Sequence, residues 1–421
     1  MKRIAFFGPL VPTPSGISDY DEELLPHLRK DYRIDVYVDQ LEARGESVFP
    51  YHHFYFKQKS HPYDFIIYQM GNSIFHEYIY AFAFEYPGAI VFHDYCLHQS
   101  RATMLLRKGL LQEYEQEIGS SHPEAPKMGH AVMAGASSNL LFSYFPMVRL
   151  LLMSALSAGA HTDFVVEKLR ITETPVVKIP MAVVSESEKF AEDPFPGKFV
   201  IASFGLATSA KRIPQVFPAI ARLKREHPEI LYLIVGEIAP HLKLQNEIEK
   251  WNLQETVHIT GHVEKSDFLR YLSRADVVIN LRHPSAGEMS ATLLRALSAR
   301  KPVLISRLHY LSEIPESAVL RVSTSRETEE TYFHLRRLME EVRFRKSLAR
   351  NGKKFVEQHQ RFDQMVDAYR ELIDVGLKRK ETFQKPQLPV HLRSAKEILN
   401  AYLRKTSLAG LNVNLLGEIP L

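Results

Sequence analysis

Short apolar runs alternate with helical patterns along most of the chain. In the first half, the strand-like runs fall at residues 3–7, 34–38, 64–69, 89–92 and 176–179. Most of these runs are rich in Val, Ile and Phe on both faces instead of alternating with polar residues, which is typical of a parallel sheet covered on both sides by helices. The first half is therefore predicted to be a doubly wound α/β domain.

The same pattern begins again in the second half. Strand-like runs at 199–204, 230–235, 257–260, 277–281 and 303–306 are separated by helical patterns. Repeated βα steps of this spacing predict a second Rossmann-like domain. Two such domains are expected to face each other across a ligand cleft, at the carboxyl ends of their strands.

Composition changes along the chain suggest where the domains end. The segment 185–198 is charged, carries Pro and Gly, and is predicted to link a first domain over 1–184 to a second over 199–365. Residues 101–160 show mainly helical patterns. A helical extension over 366–421 ends in a basic amphipathic segment, which either packs back on the first domain or lies on a membrane.

The overall composition excludes several classes of protein. The 421 residues carry a net charge of only +4, which is not the concentrated basic face of a nucleic-acid-binding protein. Cys96 is the single cysteine, so neither an intramolecular disulfide nor a cysteine-based metal site is expected, and a cytoplasmic location is favoured. The first apolar run is interpreted as a strand and not as a signal peptide. The apolar stretch 145–160 contains Arg149 and is interpreted as a buried or interfacial helix.

The segment 281–303 has the features of a phosphate-binding strand–loop–helix unit. A strand ends at Leu281, and a loop containing Gly287 leads into a helix with small residues in its first turn. Free N–H groups at a helix N-terminus suit a diphosphate, and glycine allows the backbone to approach it closely. Glu288 is placed to accept hydrogen bonds from sugar hydroxyls. The alternative is that Glu288 is a first-turn acid that stabilises the helix.

This segment resembles the donor-site signature of the retaining family-4 glycosyltransferases of the GT-B fold. The resemblance is to the branch with an R-x-P-x-x-G-E-x-S motif. It implies that Glu288 contacts the donor sugar and that the amides at the start of the helix hold the distal phosphate. The matching residues are Arg282, Pro284, Gly287, Glu288, Ser290, 295–297, 301–303 and 313–315, and Met289 is a further donor-binding candidate within the motif.

The chain departs from the family pattern at two positions. The family carries a second glutamate that binds the nucleotide ribose, but here that position falls on Arg295 or Ala296, depending on the alignment. The family also has an arginine where this chain has Leu206. Without the second glutamate, either ribose binding is arranged differently or donor binding is weakened. Arg212 or Arg282 is expected to take over from the missing arginine.

Further donor-site residues are implied by the same resemblance. Lys211 and Arg212 lie near the start of a predicted helix, where cations can pair with phosphates, although such a pair is also common on solvated surfaces. The family has a phosphate-binding lysine at the position of Lys211. Gly16 matches a glycine loop that faces the donor phosphate. Family positions next to the nucleotide base are matched by Gly236, Glu237 and Gly261.

Polar residues also cluster after two strands of the first domain. The resemblance places His93 beside the reacting sugar, with Asp94 as an orienting partner for a nearby polar group. The spacing of the histidines is not that of a recognised metal motif, and no metal site is predicted. A capping role for Asp94 and a structural role for His98 are the alternatives. The acceptor-side candidates are Asn72, His76, Asp94 and His98, and Gln69 belongs to the same group.

The predicted reaction transfers a hexosyl unit from a nucleotide diphosphate sugar to a saccharide or lipid-linked saccharide, with retention and without a metal or other cofactor. The helical stretches 101–111 and 147–156 combine apolar and basic residues, so both peripheral membrane contact and core packing are open. Because Arg295 and Leu206 depart from the family pattern, one alternative is a catalytically inactive relative. Such a protein would bind a nucleotide-sugar or a partner protein. A sugar-nucleotide epimerase is a third. No strand is followed by G-x-G-x-x-G, which argues against a dinucleotide oxidoreductase.

Overall fold

The computed structural model describes residues 1–39, 45–125, 127–134, 139–184, 189–389 and 392. The chain divides into two compact units. The first contains Met1–Ala160, Val166–Lys178 and the described residues from Ala368 onward, and the second contains His161–Val165 and Ile179–Asp367.

The first unit is built on a parallel sheet of seven strands. Its strands are β1 Arg3–Phe7, β2 Arg33–Val38, β3 Val48–Pro50, β4 Phe65–Met70, β5 Ala89–Phe92, β6 Ser157–Ala160 and β7 Val176–Lys178. They are arranged in the order β3-β2-β1-β4-β5-β6-β7. The strand order thus reverses between β1 and β4, which are neighbours in the sheet but not in sequence.

The second unit is built on a parallel sheet of six strands. Its strands are β8 Phe199–Phe204, β9 Ile230–Val235, β10 Val257–Gly261, β11 Val277–Asn280, β12 Val303–Ser306 and β13 Leu320–Val322. Their order is β10-β9-β8-β11-β12-β13. This is the 3-2-1-4-5-6 order of a doubly wound sheet, with its switch point between β8 and β11.

Helices follow most strands in both units, as right-handed parallel crossovers require. The α-helices of the described residues are α1 Gly16–Leu28, α2 His53–Ser60, α3 Glu77–Glu85, α4 His98–Arg107, α5 Leu111–Ser121, α6 Met128–Met133, α7 Asn139–Tyr144, α8 Arg149–Ser154, α9 Asp163–Leu169, α10 Ile213–Glu226, α11 Leu244–Lys250, α12 Lys265–Arg274, α13 Ala291–Ser298, α14 Glu327–Glu340, α15 Val342–His359 and α16 Phe362–Lys380.

Three short strands were not expected from the sequence. β3 and β13 are three residues long, too short to show a period, and β6 is composed of Ser, Ala and Gly. The prediction of helix up to residue 160 is therefore wrong at its end. Since small residues have low β propensity, only the pairing of β6 with β5 and β7 identifies it as a strand.

The boundary between the units also differs from the predicted linker. The units separate after Lys178, whereas the linker was expected at 185–198. Residues 189–198 of that segment belong to the second unit, where Arg274 donates to the carbonyl oxygens of Phe195 and Lys198, both at 2.8 Å. Its remaining residues, 185–188, lie outside the described part of the chain.

The two basic and apolar helices of the first unit are packed into its core. On α4, Arg101 is buried, and its Nε donates to Glu117 Oε2 at 2.6 Å, so its charge is neutralised inside the protein. On α8, Leu150, Leu151 and Leu152 are buried as well. Both stretches therefore contribute to core packing, and peripheral membrane contact stays a prediction. No helix in the described residues has the length and apolarity to cross a membrane. Most of the basic C-terminal segment lies outside those residues.

Candidate active site

The loops after β8 and β11 meet at the switch point of the second sheet. β8 and β11 are hydrogen-bonded neighbours, so the loops that follow them start side by side. The backbone N–H of His283 donates to the carbonyl oxygen of Ala210 at 2.8 Å, which joins the two loops directly. Lys211, from the first loop, and the segment 281–290, from the second, are thereby brought to one place, where ligands of doubly wound sheets bind.

Glu288 is held by a network within the second loop. Arg282 Nη1 donates to Glu288 Oε1 at 2.7 Å, and Ser285 Oγ donates to Glu288 Oε2 at 2.6 Å. Tyr310 Oη lies 2.7 Å from Ser285 Oγ. Because α13 begins only at Ala291, Glu288 is not a first-turn acid, and that alternative does not describe its position. The Glu288 side chain remains 20% exposed. Arg282 and Ser285 orient its carboxylate directly, and Tyr310 acts through Ser285.

The side chains of Met289 and Ser290 are buried. Ser290 is the N-cap of α13: its Oγ accepts from the N–H of Leu293 at 3.3 Å and from Arg282 Nη2 at 3.1 Å. Gly287 has φ +84°, a conformation that other residues rarely adopt. These residues therefore shape the backbone that leads into the helix, and a ligand would meet that backbone and not their side chains.

Lys211 is a half-buried cation beside this loop. Its ammonium group donates to the carbonyl oxygen of Phe204, at the end of β8. A Cβ on Gly205 would lie 2.6 Å from Lys211 Nζ and would displace the ammonium group, and the φ of +81° at this position also favours glycine. The pKa of Lys211 is lowered to about 7, mainly by burial of its ammonium group and then by the charge of Arg282, while Glu288 opposes the shift.

Arg212 is engaged elsewhere. Its Nε and Nη2 donate to Glu327 Oε2 at 3.0 and 2.7 Å, and the Glu327 side chain is only 6% exposed. The bidentate pair ties the start of α10 to the start of α14, so the structure gives the Arg212 guanidinium a structural partner instead of placing it in a phosphate site. Arg282, the other candidate, does lie next to Glu288.

The remaining donor-side candidates lie along the same edge of the sheet. Gly236 and Gly261 follow β9 and β10 and form an isolated backbone bridge. The side chain of Glu237 is exposed, while its carbonyl oxygen accepts from the N–H of Ala207 at 2.7 Å. Both positions at which the second family glutamate is expected, Arg295 and Ala296, are buried on α13.

The first unit has its own switch point, between β1 and β4. Gly16 is the first residue of α1, and the N-cap Ser15 accepts from the N–H of Ile17 at 3.2 Å. Apart from its chain neighbours and the backbone of its own helix, no described atom lies within 4 Å of the point where a Cβ of Gly16 would stand. The position therefore has open space beside the helix start, which a ligand could use.

His93 is buried at the end of β5, near this switch point. His93 Nε2 lies 2.7 Å from Gln69 Oε1, and Gln69 Nε2 donates to Tyr369 Oη at 2.9 Å. The ring of Tyr20 packs edge-on against the imidazole, with centroids 4.7 Å apart. His93 is thus fixed by side chains from β4, α1 and α16.

The acceptor-side candidates mostly hold the loops of the first unit together. Asp94 Oδ2 accepts from the backbone N–H of Asn72 at 2.6 Å, and Asn72 Oδ1 accepts from the N–H of Ser100 at 2.9 Å. Burial lowers the pKa of both His76 and His98 to about 4, so these rings are neutral.

The same two histidines have partners inside the protein. His76 Nδ1 donates to the carbonyl oxygen of Gln69 at 3.0 Å, and His98 Nε2 lies 2.8 Å from Tyr114 Oη. These contacts favour the structural alternative for His98. Within the described residues, no group of three or more His, Cys, Asp or Glu could hold a metal ion.

Sequence reasoning missed several residues of both switch points. Tyr310 and Ser285 support Glu288, Gly205 makes room for Lys211, and Tyr369 reaches Gln69 from far along the chain. Gly205 could have been found, since a glycine directly after a central strand often marks close approach. The extension 366–421 was expected either to pack back on the first domain or to lie on a membrane, but nothing in the sequence marks the Tyr369 hydroxyl as a partner of Gln69.

The match to a known family falls on the second unit. Residues 184–355 match the family described as Glycosyl transferases group 1. The second unit carries a glycosyl transferases group 1 domain. No curated protein matches the chain in sequence.

Solved structures resemble the chain over most of its length. The sucrose-phosphate synthase of Thermosynechococcus elongatus matches with a TM-score of 0.62 and 14% identity, covering 89% of this chain and all of that one. Anabaena Alr3699/HepE in complex with UDP matches with a TM-score of 0.61 and 16% identity, with the same coverage. A glycosyltransferase from Rickettsia africae matches with a TM-score of 0.61 and 14% identity, covering 90% and 99%. The chain therefore has the GT-B fold.

Proposed function

We propose that the chain is a retaining glycosyltransferase that moves a hexosyl unit from a nucleotide diphosphate sugar to a saccharide or lipid-linked saccharide. The observation that carries the proposal is the joining of Lys211 to the Arg282–Glu288 pair at the switch point of a glycosyl transferases group 1 domain. The complex of Anabaena Alr3699/HepE with UDP-glucose supports a nucleotide-sugar as the donor.

In this proposal the departing diphosphate is stabilised by fixed positive charge. Lys211 supplies the ammonium group. The first N–H groups of α13, apart from that of Leu293, which Ser290 caps, have no acceptors within their own helix. A cation that is already desolvated needs little reorganisation when negative charge develops beside it. These groups take the role that a metal ion has in other transferases, so transfer is expected to persist in the presence of EDTA.

Glu288 accepts hydrogen bonds from hydroxyls of the donor sugar. Its carboxylate is held by Arg282 and Ser285, which leaves little rotamer freedom to lose on binding. Retention proceeds by attack of the acceptor on the face that the diphosphate leaves, with a phosphate oxygen taking the acceptor proton. In the first unit, His93 is the proposed contact to a sugar hydroxyl. A cytoplasmic location and peripheral membrane contact stay predictions.

The first experiment identifies the donor. Thermal unfolding is measured with UDP-, GDP-, TDP- and ADP-sugars, because a ligand that binds only the folded state raises the unfolding temperature. One nucleotide class should raise it in a concentration-dependent manner. No rise with any of the four at millimolar concentration contradicts the proposal.

The second experiment tests the site. Glu288→Gln keeps the side-chain shape but removes the charge, and transfer should fall by about 10²-fold. Glu330→Gln is the matched control, because Glu330 is 21% exposed, close to the 20% of Glu288, and also accepts a loop hydrogen bond, from the N–H of Ser323. Equal activity of the two variants would remove Glu288 from the site. The anomeric configuration of the product, read by NMR, tests retention.

A further inference from the structure

Residues 142–148, called the covering segment below, lie against the loop that follows β5. In that loop, Leu97 donates its backbone N–H to the carbonyl oxygen of Pro146 at 3.0 Å, and Cys96 Sγ donates to the carbonyl oxygen of Phe142 at 3.0 Å. The loop also carries two of the candidate site residues of the first unit. The position of the covering segment therefore bears on the position of these residues.

His122, the residue that caps the C-terminal end of α5, holds the covering segment by its backbone. Its Nε2 accepts from the N–H of Met147 at 3.1 Å, and its ring packs edge-on against Phe145, with centroids 5.2 Å apart. His122 is 8% exposed and Met147 is 5% exposed, so water competes little for this bond. Met147 has φ +57°, which residues other than Gly, Asn and Asp rarely adopt, and its backbone must therefore be held by contacts such as this one.

The two partners of His122 determine which ring nitrogen carries the proton. The backbone N–H of Met147 can only donate, so Nε2 must be an acceptor. Nδ1 lies 3.0 Å from Glu124 Oε1. Hydrogen bonds from its own backbone and from His122 lower the pKa of Glu124, so its carboxylate is ionised near neutral pH and can only accept. The neutral ring protonated on Nδ1 is therefore the form that satisfies both partners.

A second proton on His122 would break the bond to Met147. It must go to Nε2, which would then direct one N–H at another, with no acceptor between them. Burial lowers the pKa of His122 below its ordinary value of 6.5, and Arg149 on α8 acts in the same direction, while Glu124 raises it. His98 on α4 is the other titratable group that interacts with the ring. Because the unfolded chain takes up this proton more readily, the fold loses stability here as the pH falls below 6.5.

We propose that His122 is a positioning residue, whose neutral ring holds the covering segment against the loop after β5 and whose protonation releases that segment. The consequence for transfer rests on the proposed function, because the loop carries His93, the proposed contact to a sugar hydroxyl. The release itself does not rest on it. A residue needed only for packing would act alike at every pH, whereas His122 should act only where its ring takes up the second proton.

The first measurement is hydrogen exchange of the Met147 amide in the full chain. It is expressed as protection relative to the unfolded chain, so that the pH dependence of the exchange chemistry cancels. As the pH falls from about 8 to about 5, protection in the wild type should fall by up to about tenfold, the equivalent of one hydrogen bond. His122→Gln can place an amide oxygen near the position of Nε2, and this acceptor does not titrate, so protection should change little. His122→Ala has no acceptor and should be poorly protected throughout.

His130→Gln is the matched control. His130 lies on α6, and its Nδ1 also pairs with a carboxylate, that of Glu115, but its side chain is 75% exposed. The same replacement there removes a histidine without touching a buried hydrogen bond, so the fall in protection at low pH should remain as in the wild type. Constant protection of Met147 in the wild type, or a wild-type fall in His122→Gln, would overturn the proposal.

The same variants are assayed for transfer over the same pH range. Wild-type kcat should fall on the acid side, and His122→Gln should keep most of its activity there; if His122→Ala folds poorly, the glutamine variant still decides the test. Equal acid losses in the wild type and His122→Gln would overturn the positioning role. Hydrogen exchange needs no substrate, so the expected protection changes together with no transfer by the wild type would count against the proposed function and leave the release of the covering segment standing.

Discussion

The two switch points have the same topology, but their side chains differ in charge and in exposure to solvent. In the second unit, the residues after β8 and β11 are charged and partly open to solvent: Lys211, Arg282 and Glu288. In the first unit, the residues around β4 and β5 are an imidazole, an amide and phenols, and they are buried. A site that stabilises a departing diphosphate needs net positive charge, whereas a site that recognises hydroxyls needs only a fixed donor and acceptor pattern.

The largest expected effect is at the charged switch point. Lys211→Met should lower transfer by about 10²–10³-fold, the range found when a group that stabilises developing negative charge is removed. Lys301→Met is the control, because Lys301 is also largely buried and donates to a carbonyl oxygen, that of Ser273 at 2.6 Å, but precedes β12 at the opposite end of the sheet. A comparable loss in both variants would mean that the effect comes from the fold.

The same variant has a predicted effect on stability. The pKa of Lys211 falls from 10.5 to about 7 on folding, so between these values the unfolded chain binds more protons than the folded one. Stability therefore rises with pH across that window because of this residue, and Lys211→Met should raise the unfolding temperature most at or below pH 7. Thermal unfolding at pH 6 and pH 9 measures this, and a destabilised variant at pH 6 would contradict it.

The orientation of Glu288 carries the next largest effect. Arg282→Met removes the partner that holds the carboxylate, and a misplaced sugar contact should cost about 10²-fold in transfer. The loss should overlap with that of Glu288→Gln in the double variant, since both act through one contact. Additive losses would show that Arg282 has a separate role, such as direct contact with phosphate.

Donor affinity should depend on pH through the charged switch point. Because the diphosphate binds the ammonium form of Lys211, the free enzyme must take up a proton above about pH 7, and affinity should fall by up to about tenfold per pH unit there. Calorimetric titration of the donor from pH 6 to pH 9 checks this. In Lys211→Met the slope should vanish, and a slope that persists would assign it to another group.

The smallest effect on transfer is expected at Arg212. Glu327→Gln weakens its bidentate pair and should cost about 1–3 kcal/mol of stability while changing transfer little, because the pair joins two helices and not the site. Chemical denaturation and initial rates measure the two quantities. A large loss of transfer with normal stability would instead support a role for Arg212 in donor binding.

The second unit was the more predictable of the two from its sequence. Gly287 and Glu288 lie in a contiguous strand–loop–helix segment, so their neighbourhood is already contained in the order of residues. The linker prediction differed from the structure, because residues such as Asp193 and Phe195 look solvated in sequence yet contact Arg274. The role expected for Arg212 depended on where its guanidinium group points. That direction is set by its ion pair with Glu327, which is 115 residues away in the sequence.

The alternation of apolar runs and helical patterns by itself determined two doubly wound sheets, because strand and helix periods are local properties of the chain. It also determined which loops follow the carboxyl ends of the strands, and so where Lys211 and Glu288 meet. Only the tertiary structure decided that β6 is a strand, that Arg101 is neutralised by Glu117, and that Tyr369 belongs beside Gln69. Each of these depends on a partner distant in sequence, and hydrogen-bond geometry between distant residues leaves no periodic trace in the chain.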